Sequence, residues 1–410
     1  MNYWELIKIK GIHVRVHPIG MVSFFYFCLI FQRQLFDSSE VEISFITSFG
    51  LGLFTSFLVF LSGMLHELGH SFVALNEGVK VSSITSYYLV GFCEYEKDCL
   101  KPIGSLKVAL AGPATSIFLA VIIFFFSNTF LLTSSVFYMS LFLIMQINIV
   151  IGLFNLLPVL PLDGGIILKS IIWIYTGNRN KALTLSIKIG RLLSVFGLFL
   201  GLFYCFSGSA YFGFWLIILG WIGFVASRSQ TQMMNLRNLL CYTKVGDSTS
   251  RQYRVLEDNL PIRKLTEANS KSHEGQISSS WILLCRSGRW VGYLDEKPIK
   301  EIPVQDWDKY RLSDFSKPLK ELPSISEKSP LWEAVIALEK SKEGRLLVRN
   351  LAGLPSGTLE RVDIGKLVLN LLGLRVSKEV LLLARKRNLY PLGLALPKIV
   401  DSMISQGIED

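Results

Sequence analysis

FITSFGLGLFTSFLVFLSGMLHELGHSFVAL, residues 45–75, decides how this chain is read. From Phe45 to Leu65 no residue is charged, and a membrane span needs about 20 apolar residues. The stretch is therefore expected to cross a bilayer as a helix. It then carries His66, Glu67 and His70 in the pattern HExxH. Each helical residue turns about 100°, so His66 and His70 stack on one face, with Glu67 rotated to the side. An ionisable side chain in such a span costs on the order of 2.5 kcal/mol or more, which favours a chemical role over chance. Two imidazoles facing one point suit a metal ion, and Glu67 stands where it can reach a water.

Outward from this stretch the chain divides in two. Residues 1–227 carry 13 Lys and Arg and 10 Asp and Glu, whereas residues 228–410 carry 29 and 22. Most of the 28 Phe lie in the first part. This excludes a wholly cytosolic enzyme, a disordered chain and a secreted disulfide scaffold. The expected fold is a polytopic α-helical membrane domain of about six helices, followed by a soluble α/β part. The net charge of +10 is spread over both parts, so no basic field points to nucleic acid. Cys28, Cys93, Cys99, Cys205, Cys241 and Cys285 show no CxxC spacing and read as free thiols. No cleavable signal is apparent at the N-terminus.

The other apolar stretches are Pro18–Phe36, Val108–Leu132, Val136–Leu157, Leu192–Phe206 and Tyr211–Ala226. The last two are short and must borrow flanking residues. Lys and Arg cluster before the first span, between the second and third, between the fourth and fifth, and after the sixth. The alternate loops hold only Arg33. This bias predicts both termini on the cytoplasmic side. Val79–Tyr88 is rich in β-branched and aromatic residues and predicts a small hairpin at that membrane boundary. His13 and His17 are expected to be structural or gating residues, and Gln146 and Asn148 to hydrogen-bond between helices.

Two imidazoles leave a tetrahedral ion short of a third protein ligand, with water as the fourth. Residues 155–165, NLLPVLPLDGG, contain one charge, Asp163. Pro and Gly there make good turn chemistry, and a broken helix lets the carboxylate face inward. Both motifs fall on the cytoplasmic side of their spans, so topology can bring them together.

HExxH on the second span and NxxPxxPLDGG after the fourth resemble the site-2 protease family of intramembrane zinc metalloproteases. Gly11 through His17-Pro18 and Ala111-Gly112-Pro113 add to the resemblance, which covers roughly residues 10–227. It implies that His66, His70 and Asp163 bind Zn2+, that Glu67 is the catalytic base, and that Asn155 positions or polarises the substrate. It further implies a single-pass membrane protein substrate cut within or near the bilayer, in regulated proteolysis or clearance of leftover signal segments. Ser116 stands where the family's Gly-Pro-x-x-Asn has Asn, and the small-residue hairpin signature is altered at Gly91-Phe92-Cys93. Both departures are expected to bear on substrate preference rather than on the metal. A helical substrate must unwind before attack, and the strand-like stretch Tyr87–Gly91 is expected to pair with it by β-addition. Water is expected to enter past Glu94–Asp98.

Serine-type and aspartyl-type intramembrane proteases fit poorly. Ser62-Gly63 lacks a preceding Gly and a partner His, and only one candidate intramembrane Asp is present. A zinc or proton transporter is an alternative, but it would spread polar groups along a path through the bilayer. A catalytically inactive membrane adaptor is the other alternative.

Beyond the spans, residues 228–245 read as a linker, 246–375 as a tandem domain and 376–410 as a helical tail that caps the domain or rests on anionic lipid. Arg254–Ile262 recurs loosely as Pro323–Leu331, matching Glu257 to Glu327. Strand candidates Trp281–Arg286 and Val291–Leu294 have counterparts in Arg345–Arg349 and Gly357–Leu359. The two repeats resemble a CBS pair, which implies an adenine nucleotide as one partner and a homodimer through the pair as another possibility to test. The nucleotide motif Gly-x-x-Ser/Thr-x-x-Asp is kept only as Gly357 and Asp363, with Glu360 at the hydroxyl position. The first repeat has Gly292, Asp295 and Pro298.

Overall fold

The computed structural model describes residues 3–9, 11–38, 44–88, 91–95, 99–129, 135–250, 253–265, 281–294, 299, 302–341 and 344–405. Residues up to Met233 form one compact unit and Met234–Met403 a second.

In the first unit, strands β1 (Trp4–Ile9) and β2 (Ile12–Val16) lead into helices α1 (Pro18–Ser38) and α2 (Phe45–Asn76). Strands β3 (Val81–Ser86) and β4 (Gly91–Tyr95) follow. Then come α3 (Pro102–Thr129), α4 (Ser135–Asn155), α5 (Asp163–Thr176), α6 (Arg179–Phe206) and α7 (Ala210–Tyr242). Six of these, all but α5, are long and apolar enough to cross a membrane.

Helix α2 shows why the bundle holds. Its buried face includes Ser48, Gly52, Thr55, Ser56, Val59, Ser62, Gly63, His66, His70, Ser71 and Ala74. Its exposed side carries Phe45, Ile46, Phe49, Leu53, Phe54, Phe57 and Leu61. Lipid tails are as apolar as Leu, so large residues gain nothing by turning inward, while small ones let backbones approach. A Cβ on Gly52 would lie 2.8 Å from the Cys28 carbonyl of α1, and one on Gly201 of α6 equally close to the Gly213 carbonyl of α7. Asn148 of α4 donates to Ser62 Oγ of α2 at 3.1 Å.

Two boundaries differ from expectation, and one helix is added. Helix α6 starts at Arg179 rather than near Leu192, α7 runs on to Tyr242, and α5 is a helix that the sequence pattern does not predict. The expected linker from 228 is therefore helical as far as Tyr242. Helix formation depends on local backbone bonding and continues past the apolar segment into charged residues. The hairpin β3–β4 is joined by two N-terminal strands into one sheet, ordered β1-β2-β3-β4, with β2 parallel to β3. His13 pairs with Glu5, and His17 stacks on Tyr87 with ring centroids 4.8 Å apart.

In the second unit one sheet is ordered β5 (Tyr253–Glu257), β6 (Trp281–Arg286), β7 (Arg289–Leu294) and β8 (Ser316–Lys317). The other is ordered β9 (Ser324–Ser326), β10 (Arg345–Arg349) and β11 (Pro355–Glu360). In each, the first strand runs parallel to the second and the second and third form an antiparallel hairpin. The segment preceding each repeat crosses to the other. Val245 and Gly246 N–H donate to the carbonyls of Ser329 and Glu327, both at 2.9 Å. Leu312 and Ser313 N–H donate equivalently to Leu260 and Asp258, at 2.9 and 2.8 Å. These bonds align Glu327 with Asp258, correcting the expected match to Glu257 by one residue. One step along a strand reverses the side-chain face, and buried Asp258 and exposed Glu257 differ accordingly.

The exchange also explains the two glycines of the expected nucleotide motif. A Cβ on Gly292 would lie 2.3 Å from the Lys317 carbonyl, and one on Gly357 2.1 Å from Thr249 Cγ2. Each faces the crossing segment. Asp363 accepts from Glu360 N–H at 3.0 Å, Ser250 Oγ at 3.1 Å and Arg385 at 3.1 Å. Glu360 is clamped by Arg345 and Arg385. Burial pushes the Asp363 carboxyl up and Arg385 opposes it. Arg385 comes from the tail helix Lys378–Lys386. Asp295 and Pro298 of the first repeat lie outside the described residues.

Candidate metal centre

Helix α2 brings His66 and His70 to one side of a cavity of about 630 Å³. The chain between α4 and α5 brings Asp163 to the same place. Helix α4 ends at Asn155, residues 156–162 turn, and Asp163 opens α5, where the helix N-terminus favours a carboxylate. The two following glycines permit the turn. A Cβ on Gly164 would lie 2.2 Å from the Leu156 carbonyl, and one on Gly165 2.4 Å from the Leu160 nitrogen.

The three candidate ligand atoms form an equilateral triangle. His66 Nε2 and His70 Nε2 are each 3.3 Å from Asp163 Oδ2, and 3.3 Å from one another. An ion held tetrahedrally at about 2.0–2.1 Å separates its ligand atoms by about 3.3–3.4 Å. The donor set therefore fits zinc in chemistry and in spacing. Both rings are buried, and their other nitrogens are occupied. His70 Nδ1 donates to the Val108 carbonyl at 2.7 Å, which leaves the Nε2 lone pair facing the triangle. His66 Nδ1 lies 2.8 Å from Ser116 Oγ.

Helix α3 supplies all of this support from one stripe. Val108, Gly112 and Ser116 are four residues apart and share a face. Between the two hydrogen-bonding positions lies Gly112, whose added Cβ would sit 2.1 Å from His70 Nε2 and 2.6 Å from His66 Nε2. Pro113 withdraws its N–H from the helix ladder beside this stripe. The expectation that Ser116 bears on substrate preference alone is thus corrected, because its hydroxyl meets a ring of the metal pair. The i, i+4, i+8 spacing from Val108 was readable beforehand, but its target was not.

Glu67, Asn155, Cys93, Lys169 and Arg179 also line the cavity. All five residues expected at the site, His66, Glu67, His70, Asn155 and Asp163, therefore border one space. Glu67 lies against β4, with Cys93 Sγ 3.1 Å from its Oε2. The Glu94–Asp98 water path falls largely outside the described residues.

Comparison with known proteins agrees with this chemistry. Residues 54–137 and 129–197 match the model of peptidase family M50. A designated zinc metalloprotease of Synechocystis sp. is 29% identical over 320 residues, covering 77% of this chain and 83% of the relative. One of Methanocaldococcus jannaschii is 30% identical over 172 residues, 36% of this chain and 90% of the relative. Among solved structures, a site-2 protease from Methanocaldococcus jannaschii is 25% identical over 56% of this chain and 95% of its own, with a TM-score of 0.37. The CBS domain of a bacterial CNNM/CorC family Mg2+ transporter is 14% identical over 36% of this chain and 84% of its own, with a TM-score of 0.28.

The α3 stripe can be tested by metal analysis. Ser116→Ala should weaken zinc binding roughly tenfold, since it leaves one imidazole without its partner. Gly112→Ala should lose more, because its methyl enters the ligand triangle. Chelator competition on the purified protein measures both.

Proposed function

Because this chain belongs to peptidase family M50, the site-2 proteases, and is an integral-membrane zinc metalloprotease, we propose that it is an endopeptidase cutting single-pass membrane proteins within or near the bilayer. Regulated release of a cytosolic regulator and clearance of leftover signal segments both suit such a cut. The observation that carries the reading is the 3.3 Å triangle of His66, His70 and Asp163, with Glu67 on the wall of the same cavity.

In this reading His66, His70 and Asp163 hold the metal. When bound, zinc supplies a Lewis acid that activates water and polarises the scissile carbonyl. Glu67 takes the proton of the attacking water and passes it to the leaving amide nitrogen. Asn155, at the end of α4, directs its amide toward the substrate carbonyl. The bundle around α2 excludes bulk water from the histidines, which strengthens every charge interaction inside.

A substrate helix hides its amides until it unwinds, and a free strand edge offers them new partners. Strand β3 is flanked by β2 and β4, so among the described residues the outer strand on this side of the sheet is β4. The expected docking segment Tyr87–Gly91 accordingly moves to Gly91–Tyr95, the strand that touches Glu67. Positive charge on alternate loops further supports cytoplasmic termini.

Three outcomes are expected. Glu67→Gln should keep zinc and abolish cleavage of a reconstituted membrane-anchored substrate, whereas Asp163→Asn should lose zinc as well; full activity in Glu67→Gln would remove the base assignment. Cysteines walked along the unwound substrate should cross-link to a Tyr95→Cys variant with a two-residue period, and a helical period would exclude strand addition. A membrane-impermeant thiol reagent applied from outside should leave a cysteine at Arg237 unlabelled in intact cells, and labelling there would invert the topology.

A further inference from the structure

Strand β4 presses two residues of one face, Gly91 and Cys93, against Glu67. Residues two apart on a strand point the same way. At Gly91 the fit leaves no room, since an added Cβ would lie 2.3 Å from Glu67 Cγ, 2.8 Å from Cδ and 3.0 Å from Oε1. At Cys93 the contact is polar. Its Sγ lies 3.1 Å from Glu67 Oε2, 3.6 Å from the Glu67 carbonyl and 3.3 Å from Ser71 Oγ. Ser71 Oγ in turn donates to the Glu67 carbonyl at 2.9 Å. Backbone and carboxylate of Glu67 are thus both met by this small cluster.

We propose that Cys93 is a positioning residue for the catalytic base: its thiol donates to Glu67 Oε2 while the bare Cα of Gly91 supports the stem, which leaves Oε1 to take the proton. The proposal rests on Glu67 as the base. A flexible carboxylate would otherwise spread over several rotamers, and an ångström of misplacement can cost a large part of the rate. A thiol suits the task because it is a weak donor. Lys or Arg at the same place would hold the carboxylate through a charge-assisted bond and compete with proton transfer. The sequence change at Gly91-Phe92-Cys93 thereby gains a role in catalysis, through Glu67, instead of one in substrate choice.

The test uses the full chain, reconstituted with a membrane-anchored peptide substrate, and compares Cys93→Ala, Cys93→Ser and Glu67→Gln. Cys93→Ala should retain zinc and KM and lower kcat roughly tenfold. Cys93→Ser, which restores a hydroxyl donor, should recover most of the rate. Unchanged kcat in Cys93→Ala overturns the proposal, as does an equal loss in both variants, which would mean packing, or loss of zinc in Cys93→Ala, which would mean a structural role. Glu67→Gln separates the two readings. If it stays active the base assignment itself fails, and if it is dead while Cys93→Ala is unaffected only the Cys93 role fails.

Discussion

Two imidazoles buried among membrane helices are costly unless every nitrogen has a partner, and the first unit is arranged around meeting that demand. The Nε2 atoms face each other and Asp163 at 3.3 Å, while the Nδ1 atoms are met by Val108 and Ser116 of α3. The two Nδ1 contacts need α2 and α3 nearly in touch. Gly112 allows that approach at the ligand atoms, and Gly69 allows it one turn along, where a Cβ would lie 2.3 Å from Thr115 Oγ1. Asp163 is equally dependent on Gly164 and Gly165. The candidate metal centre is therefore as much a matter of missing side chains as of present ones.

The same economy runs through the bundle. Lipid provides no reward for turning Phe and Leu inward, so association rests on close backbone approach and on polar side chains that would be costly in hydrocarbon. Ser62 meets Asn148, Ser170 meets Ser105 at 2.9 Å, and Ser186 donates to the Gly165 carbonyl at 3.0 Å. The last of these ties α6 to the turn that presents Asp163. The packing that holds the candidate ligands thus reaches well beyond His66, His70 and Asp163 themselves.

The second unit uses a different principle. Each repeat lacks an edge of its own and takes it from the segment before the other, so neither sheet is complete alone. Leu283 of β6 and Leu347 of β10 share one buried cluster, while Leu284 faces another with Ile262 and Leu312. Alternate residues of β6 thus serve two cores, which is why Trp281–Arg286 reads as a nearly continuous apolar run. The Arg345–Glu360–Arg385–Asp363 cluster then binds the tail helix to the second repeat.

Local pattern alone determined the number of spans, the placing of His66 and His70 on one helix face, the candidacy of Asp163 and the hairpin strands of the second unit, because hydrophobic run length and residue period are properties of neighbouring residues. The pairing of β1 and β2 with β3 escaped that reading, since β2 finds its partner some seventy residues away, beyond two helices. So did the targets of Ser116 and Cys93. Both stood out as departures from a family pattern, yet only the packing of α3 and β4 against α2 decided that one meets His66 and the other Glu67. The one-residue alignment of the repeats was likewise decided by tertiary contacts. Hydrophobicity says which residues leave water; which atoms they then meet depends on interhelical and interstrand distances that no window along the chain contains.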